Sequence, residues 1–274
     1  MSHPQNTEGK PTVTAVVTSC KRFDLLEETL KSFVEHNTYP LKEILIIEDS
    51  AEEGVYAVGK VLEGVNHRIL VNGKNLGQIA SIDRAYGEVD SDYIFHLEDD
   101  WRFTRPGFIE RAIEVLEQEP NVILVSVRTD ADMPRYVRSL KDRHTASARY
   151  KRTFPELHFL WHTFTFNPGL RRRSDYLALG GGYKGVGDEA KISRFYKAQK
   201  RDMAWLHDGG VLHIGDERST YGTGWGYRKS RPNRSLRKFF SNENIFKWRE
   251  SLRRRFWHSL RLLGIDTESM QRRR

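Results

Sequence analysis

The chain has 274 residues, 38% of them hydrophobic, enough to bury one sizeable core in a domain of ordinary α/β size. No apolar run approaches the roughly 18 residues needed to cross a bilayer, and the polar stretch from Met1 to Thr12 lacks the apolar centre of a secretory signal. The single cysteine, Cys20, excludes an internal disulfide framework and suits a reducing cytoplasm, and the net charge of +8 proves unevenly spread.

Thr12 to Thr18 (TVTAVVT) is short, β-branched and continuous, and reads as a buried strand. Asp24 to His36 carries apolar residues at helical spacing, with Asp24 as N-cap, Glu27 three residues on, and Pro40 blocking continuation. Glu43 to Glu48 is the second strand and ends at Asp49-Ser50. Val55 to Leu62 is a second helix, His67 to Val71 a third strand, and Gly77 to Ala85 a third helix. Asp92 to Leu97 is the fourth strand, running directly into Glu98-Asp99-Asp100. Pro106 to Glu117 reads as helix and Asn121 to Val127 as strand. The pattern then weakens: Thr163 to Asn167 is a strand, Gly187 to Arg201 a helix, and Met203 to Leu206 and Gly210 to Ile214 are short strands. Gly180-Gly181-Gly182 and Gly222 to Gly226 read as flexible loops. No internal repeat is present. This alternation predicts a mainly parallel α/β sheet flanked by helices.

In open parallel sheets, ligands bind beyond the carboxyl ends of the strands. Polar residues stand at each such end: Thr18-Ser19, Asp49, Asn75 with Gly77, and Glu98-Asp99-Asp100. Three adjacent acids repel one another and call for solvent or a cation. A hard divalent ion accepts such carboxylates and completes its shell from water and substrate phosphates. The competing reading is a solvated turn or a helix start. Cys20, at a strand end, reads as a small buried hydrophobe before a nucleophile.

Val16-Val17-Thr18-Ser19-Cys20-Lys21-Arg22, Ile46-Ile47-Glu48-Asp49-Ser50, Asn75-Leu76-Gly77 and His96-Leu97-Glu98-Asp99-Asp100 follow in the order and spacing of the nucleotide-binding half of GT-A glycosyltransferases. The sequence resembles family 2 of that superfamily, and its Glu-Asp-Asp is a variant of the Asp-x-Asp motif similar to the N-acetylglucosaminyltransferase I type. The resemblance spans about residues 12 to 220 and implies a Rossmann-like GT-A fold. It also implies nucleotide-lining roles for Thr18, Ser19 and Arg22, and base recognition by Asp49. Asn75, Gln78 and Arg84 fall on the segment flanking the nucleotide sugar, although Arg84 reads equally as a solvent-exposed helical arginine. Glu98 takes the place of the first acid of the motif, near ribose and sugar; Asp99 assists, and Asp100 takes the place of the metal ligand. Gly181-Gly182-Tyr183 followed by Gly187-Asp188-Glu189 resembles the segment that carries the general base of inverting members. Glu189 is the candidate base and Asp188 the alternate, because an attacking sugar hydroxyl must lose a proton to a positioned carboxylate. The competing reading makes Asp188 and Glu189 a helix cap and its first turn. His213 stands where the family supplies a late histidine to the metal, against the alternative of a core histidine. Glu217 and Arg218 follow as phosphate contacts. Trp161 and His162 offer sugar stacking or core packing.

Arg228 to Arg274 holds 15 Lys+Arg and 4 Asp+Glu, a net of +11, so residues 1–227 carry −3. Ile245, Trp248, Leu252, Phe256, Leu260 and Leu263 fall along one helical stripe. A basic amphipathic helix fits an anionic membrane surface; packing on the body or a second subunit, and nucleic-acid binding, are the alternatives. The expected organisation is a polar segment 1–11, a GT-A domain 12–227 and a basic helical extension 228–274. The expected activity is metal-dependent, inverting transfer of a hexosyl or N-acetylhexosaminyl group from a nucleoside diphosphate sugar, foremost a UDP-sugar. Mn²⁺ or Mg²⁺ is the cofactor, and the acceptor is a hydroxyl on a cell-envelope glycan or lipid-linked saccharide. The expected location is the cytoplasm, peripheral on the membrane's inner face, with homo-oligomer formation open. Two rivals remain. A nucleotidyltransferase wants glycine in the loop after the first strand, which Ser19 to Phe23 lacks. A basic nucleic-acid-binding protein would act through the tail, with binding that falls steeply with salt.

Overall fold

A computed structural model describes residues 9–133, 135–154, 157 and 164–215. The amphipathic tail 228–274, the glycine loop at 222–226 and the boundary near 227 lie outside the described residues, as do Trp161, His162, Thr163, Glu217 and Arg218.

The apolar runs form strands β1 (Val13–Ser19), β2 (Glu43–Glu48), β3 (His67–Val71) and β4 (Tyr93–Glu98). Between them lie helices α1 (Phe23–His36), α2 (Gly54–Gly59, tightening to a 3₁₀ turn over Lys60–Leu62) and α3 (Gln78–Gly87). Then follow β5 (Trp101–Phe103), α4 (Phe108–Gln118), β6 (Val122–Ser126), α5 (Arg135–Arg138), β7 (Arg143–His144), β8 (Arg149–Arg152) and β9 (Gly169–Arg172). The described part closes with α6 (Arg173–Leu177), α7 (Gly182–Val186), α8 (Glu189–Ala198), β10 (Asp202–Leu206) and β11 (Val211–His213).

Nine strands form one sheet in the order β3-β2-β1-β4-β9-β6-β10-β8-β7, and β5 pairs with β11 in a separate ribbon. The β3-β2-β1-β4 block is parallel, as is the β6–β10 pair. β9 runs antiparallel between β4 and β6, so β4, β6 and β10 point the same way. The sheet is thus parallel in its first half and mixed in its second. Strand period places Val13, Ala15 and Val17 in one core with Leu26, Leu30 and Phe33 of α1, and Phe108 and Ile109 of α4. Val16, Leu45 and Ile94 enter the other core with Ile82 and Tyr86 of α3, Tyr183 of α7, and Ile192 and Tyr196 of α8. Helices on both faces explain why β1 and β2 are buried along their whole length.

Three expectations change. Asp24 lies inside α1, whose N-cap is Arg22 and makes no side-chain cap bond; Arg22 is engaged elsewhere, as shown below. Thr163 to Asn167 does not hold a strand in its described part: the chain bends at Phe166–Pro168 and the ladder begins at Gly169. A Cβ on Gly169 would sit 2.5 Å from the Val125 carbonyl oxygen, so the close approach of β9 to β6 begins where a glycine permits it. Finally, Gly182 opens α7 rather than continuing a loop.

Candidate active site

The parallel strands bring their carboxyl ends to one edge. Thr18 is in register with Ile47 of β2 and Glu98 of β4, so the segments after β1, β2 and β4 lie side by side. Lys21 adopts a left-handed φ of 61°, and its amide donates to Glu48 Oε1 at 3.0 Å. This tight turn carries Arg22 over the acids of β4.

Arg22 bridges two of the three acids. Its Nη1 donates to Asp100 Oδ2 at 2.7 Å, its Nε to Asp99 Oδ2 at 3.3 Å, and its Nη2 to Asp99 Oδ1. Asp99 also accepts from the Cys20 amide at 3.3 Å. Burial pushes the Asp99 carboxyl up to about 6 despite Arg22. Asp100 goes the other way: burial alone would raise it, but the His213 imidazole and the Arg22 guanidinium hold it below the usual carboxylate value. His213 reaches Asp100 from the β5–β11 ribbon, where it is in register with Trp101, at 3.3 Å from Nε2 to Oδ2. Glu98 is half-buried, accepts from Gln78 Nε2 at 2.7 Å and from the Trp101 indole N–H at 3.3 Å, and is raised by burial and then by Asp100.

Asp49 is almost fully buried and organises the neighbouring loop. It accepts from the amides of Leu76 (2.6 Å) and Gly77 (3.0 Å) and from the side chains of Asn72 (2.9 Å) and Asn75 (3.1 Å). Gly77, at φ 89°, then opens α3 and aims Gln78 at Glu98. Thr18 and Ser19 are buried at the end of β1, and among the described residues the Ser19 hydroxyl has no hydrogen-bond partner. Arg84 stands apart from the acids: its Nη1 donates to the Val71 carbonyl at 3.0 Å and Asn72 Oδ1 at 2.5 Å, which ties the last turn of α3 to the end of β3.

Asp188 is the N-cap of α8, its Oδ1 accepting from the Lys191 amide at 2.8 Å. Glu189, in the first turn, is hydrogen-bonded by Thr165 and by the Phe166 amide. Glu189 is exposed to solvent, yet the surrounding protein pushes its carboxyl up, with Thr165, Arg171, the Phe166 amide and Arg128 acting in the opposite sense. Glu189 is among the charges that raise Glu98. Sequence reasoning missed Trp101, Thr165, Arg128, Arg171 and Gly215. Trp101 was legible as the residue following the acids; the others are brought in by the antiparallel β9 and by the ends of β6 and β11, which the alternation pattern does not register.

The residues fit a divalent cation. Among the described residues Asp100 Oδ1 is buried without a hydrogen-bond partner, and the Gly215 backbone packs so close to this side chain that a Cβ there would lie 2.4 Å from Oδ2. Among the described residues no group of three or more His, Cys, Asp or Glu gathers as a cage. One carboxylate and one imidazole suit an ion such as Mn²⁺ that takes its other ligands from phosphate and water. Among the same residues no helix is long and apolar enough to cross a membrane.

Comparison with known proteins extends these observations. The model of the family described as glycosyl transferase family 2 matches residues 14–176. No curated protein matches the sequence. Among solved structures, the chain is similar to a mannosyltransferase, PcManGT from Pyrobaculum calidifontis, in complex with GDP-Man and Mn²⁺: TM-score 0.54, 16% identity, 76% of this chain and 58% of that one. It is similar to GalNAc-T7 with UDP, GalNAc and Mn²⁺: TM-score 0.57, 13% identity, 76% and 44%. It is also similar to TarS 1-349 of S. aureus: TM-score 0.56, 12% identity, 73% and 59%. These likenesses establish the α/β fold with its mixed central sheet. The chain covers 44% to 59% of the length of these structures.

Proposed function

The chain belongs to glycosyl transferase family 2, and on that premise we propose that it moves a sugar from a nucleoside diphosphate sugar to a hydroxyl acceptor with the help of a divalent metal. The observation that carries this reading is Asp100, with one buried oxygen unpartnered among the described residues and the other shared between Arg22 and His213. Asp100 and His213 hold the ion, Mn²⁺ or Mg²⁺, which when bound supplies positive charge to the leaving diphosphate. The complexes with Mn²⁺ among the similar structures support a metal. Thr18, Ser19 and Asn75 line the nucleotide; Asp49 recognises the base and shapes the loop that presents Asn75 and Gln78. Glu98, steadied by Gln78 and Trp101, faces ribose and sugar. Glu189 takes the proton of the acceptor hydroxyl, with inversion at the anomeric carbon; Asp188 caps the helix that aims it.

The donor in this reading is foremost a UDP-sugar of hexosyl or N-acetylhexosaminyl type, and the acceptor a cell-envelope glycan or lipid-linked saccharide. The basic segment 228–274 docks the 12–227 domain on an anionic cytoplasmic membrane face, and a homo-oligomer would present several such segments together. The test is a thermal-shift screen of UDP, GDP, CDP, ADP and dTDP with and without Mn²⁺. At least one nucleotide raises the melting temperature only when Mn²⁺ is present. If none does, the transferase reading fails.

A further inference from the structure

Arg128 follows β6 at the same edge of the sheet as the acids. An isolated parallel bridge to Val211 ties it to β11, the strand that carries His213. Its guanidinium carbon lies 5.3 Å from the ring centroid of Trp101 and 5.9 Å from that of Trp205, so two indoles hold the head group in place. Both indoles are themselves almost fully buried. Trp101 is shared with the acidic cluster, through its N–H to Glu98 and its ring 4.9 Å from that of His213.

The charged partner of Arg128 is Asp132, in an ion pair of 3.7 Å from Nε, and among the described residues Nε is buried without a hydrogen-bond partner. Among the described residues its terminal nitrogens donate to no side chain or carbonyl, while the side chain keeps 24% of its surface open. A planar, permanently charged fork that is fixed by stacking and unspent in hydrogen bonds is built for an oxyanion. Arg22 and His213 engage Asp100, the acid proposed for metal and diphosphate, whereas among the described residues Arg128 pairs with Asp132 and with none of Glu98, Asp99 and Asp100, which leaves it for the other reactant.

We propose that Arg128, clamped between Trp101 and Trp205, is the anchor for an anionic group, a phosphate or a carboxylate, carried by the acceptor. This deepens the transferase reading and rests on it for the word acceptor; the anion subsite itself stands on the geometry of Arg128.

The experiment is a titration of the full chain, saturated with Mn²⁺ and the nucleotide found in the screen, with inorganic phosphate and D-glucuronate, and with D-glucose as neutral control. Wild type binds both anions more tightly than glucose. Arg128→Gln raises the Kd for both anions at least tenfold, Arg128→Lys gives an intermediate loss, and Asp132→Asn tightens binding by removing the competing carboxylate. Nucleotide–Mn²⁺ affinity of Arg128→Gln stays within twofold of wild type, which also shows that the variant is folded. The proposal is overturned if wild type does not prefer the anions, or if the anion Kd of Arg128→Gln changes less than twofold. It is equally overturned if that variant loses nucleotide–Mn²⁺ affinity tenfold, because Arg128 then reads the donor diphosphate. Should no nucleotide bind at all, the transferase reading falls separately, and the same anion titration on the free chain still decides the role of Arg128.

Discussion

Replacing Arg22 with methionine removes the cation that two buried carboxylates share while keeping much of the side chain's apolar length. Only 16% of the Arg22 side chain is accessible, against 1% for Asp99 and 9% for Asp100. Breaking a buried pair from one side leaves uncompensated charge, at a cost of about 3–5 kcal/mol. For a domain of this size each kcal/mol lowers the melting temperature by roughly 2–4 °C, so a fall on the order of 10 °C is expected for Arg22→Met without metal. A divalent ion at Asp100 supplies the missing charge, so Mn²⁺ should restore part of the loss. At a concentration of about 100 Kd, a ligand that binds only the folded state contributes about 2.7 kcal/mol. The assay is thermal unfolding of wild type and variant across a Mn²⁺ series. The reasoning is refuted if Arg22→Met melts within a degree or two of wild type, or if Mn²⁺ stabilises the variant no more than the wild type.

Three further outcomes follow from the site and the core. Asp49→Ala frees four donors at once; at about 1–3 kcal/mol for each stranded buried group, differential scanning calorimetry should show one of the larger losses available to a single change, with nucleotide affinity falling alongside. Glu189→Gln should lower turnover by about 10²–10⁴-fold while nucleotide–Mn²⁺ affinity, read by calorimetric titration, stays within twofold; retained turnover would remove Glu189 from its role. His96 is fully buried with neither ring nitrogen partnered among the described residues, and burial, aided by Arg171, holds its pKa well below the usual value. The folded chain thus keeps His96 neutral while the unfolded chain protonates it near pH 6.5, so stability is complete above that pH and falls on acidification, by up to about 1.4 kcal/mol per pH unit. His96→Phe should flatten that slope in urea melts between pH 6.5 and 5; an unchanged slope would assign it to other groups.

The half of the molecule built from β1 to β4 was legible because its physics is local. Strands with both faces covered read as continuous apolar runs, and the polar residues that close them mark the edge where ligands collect. Glu98, Asp99, Asp100 and Asp49 could therefore be placed before any fold was drawn. The second half obeys non-local constraints. β9 has the sequence Gly-Leu-Arg-Arg and looks unlike a central strand, yet Arg171 is buried in it against the aromatic layer, 5.3 Å from the Phe164 ring centroid. Reading Phe164 and Phe166 as strand residues captured their burial and misplaced the ladder by a few positions, because a Cβ clash at Gly169 is invisible without β6 beside it. Arg22 shows a different kind of limit. The resemblance implied a nucleotide-lining role for it, and what no local pattern announced is that the fold sets it on Asp99 and Asp100. The Asp188-Glu189 pair was readable as both cap and catalyst, and the structure assigns the cap to Asp188.

The central claim is that Asp100 and His213 bind a metal that recruits a nucleoside diphosphate. The direct measurement is calorimetric titration of UDP, or of whichever nucleotide the screen selects, into wild type, Asp100→Ala and His213→Ala with and without Mn²⁺. The account predicts that Mn²⁺ strengthens wild-type binding at least tenfold and that this gain disappears in Asp100→Ala and shrinks in His213→Ala. Full metal-dependent binding by Asp100→Ala would contradict it.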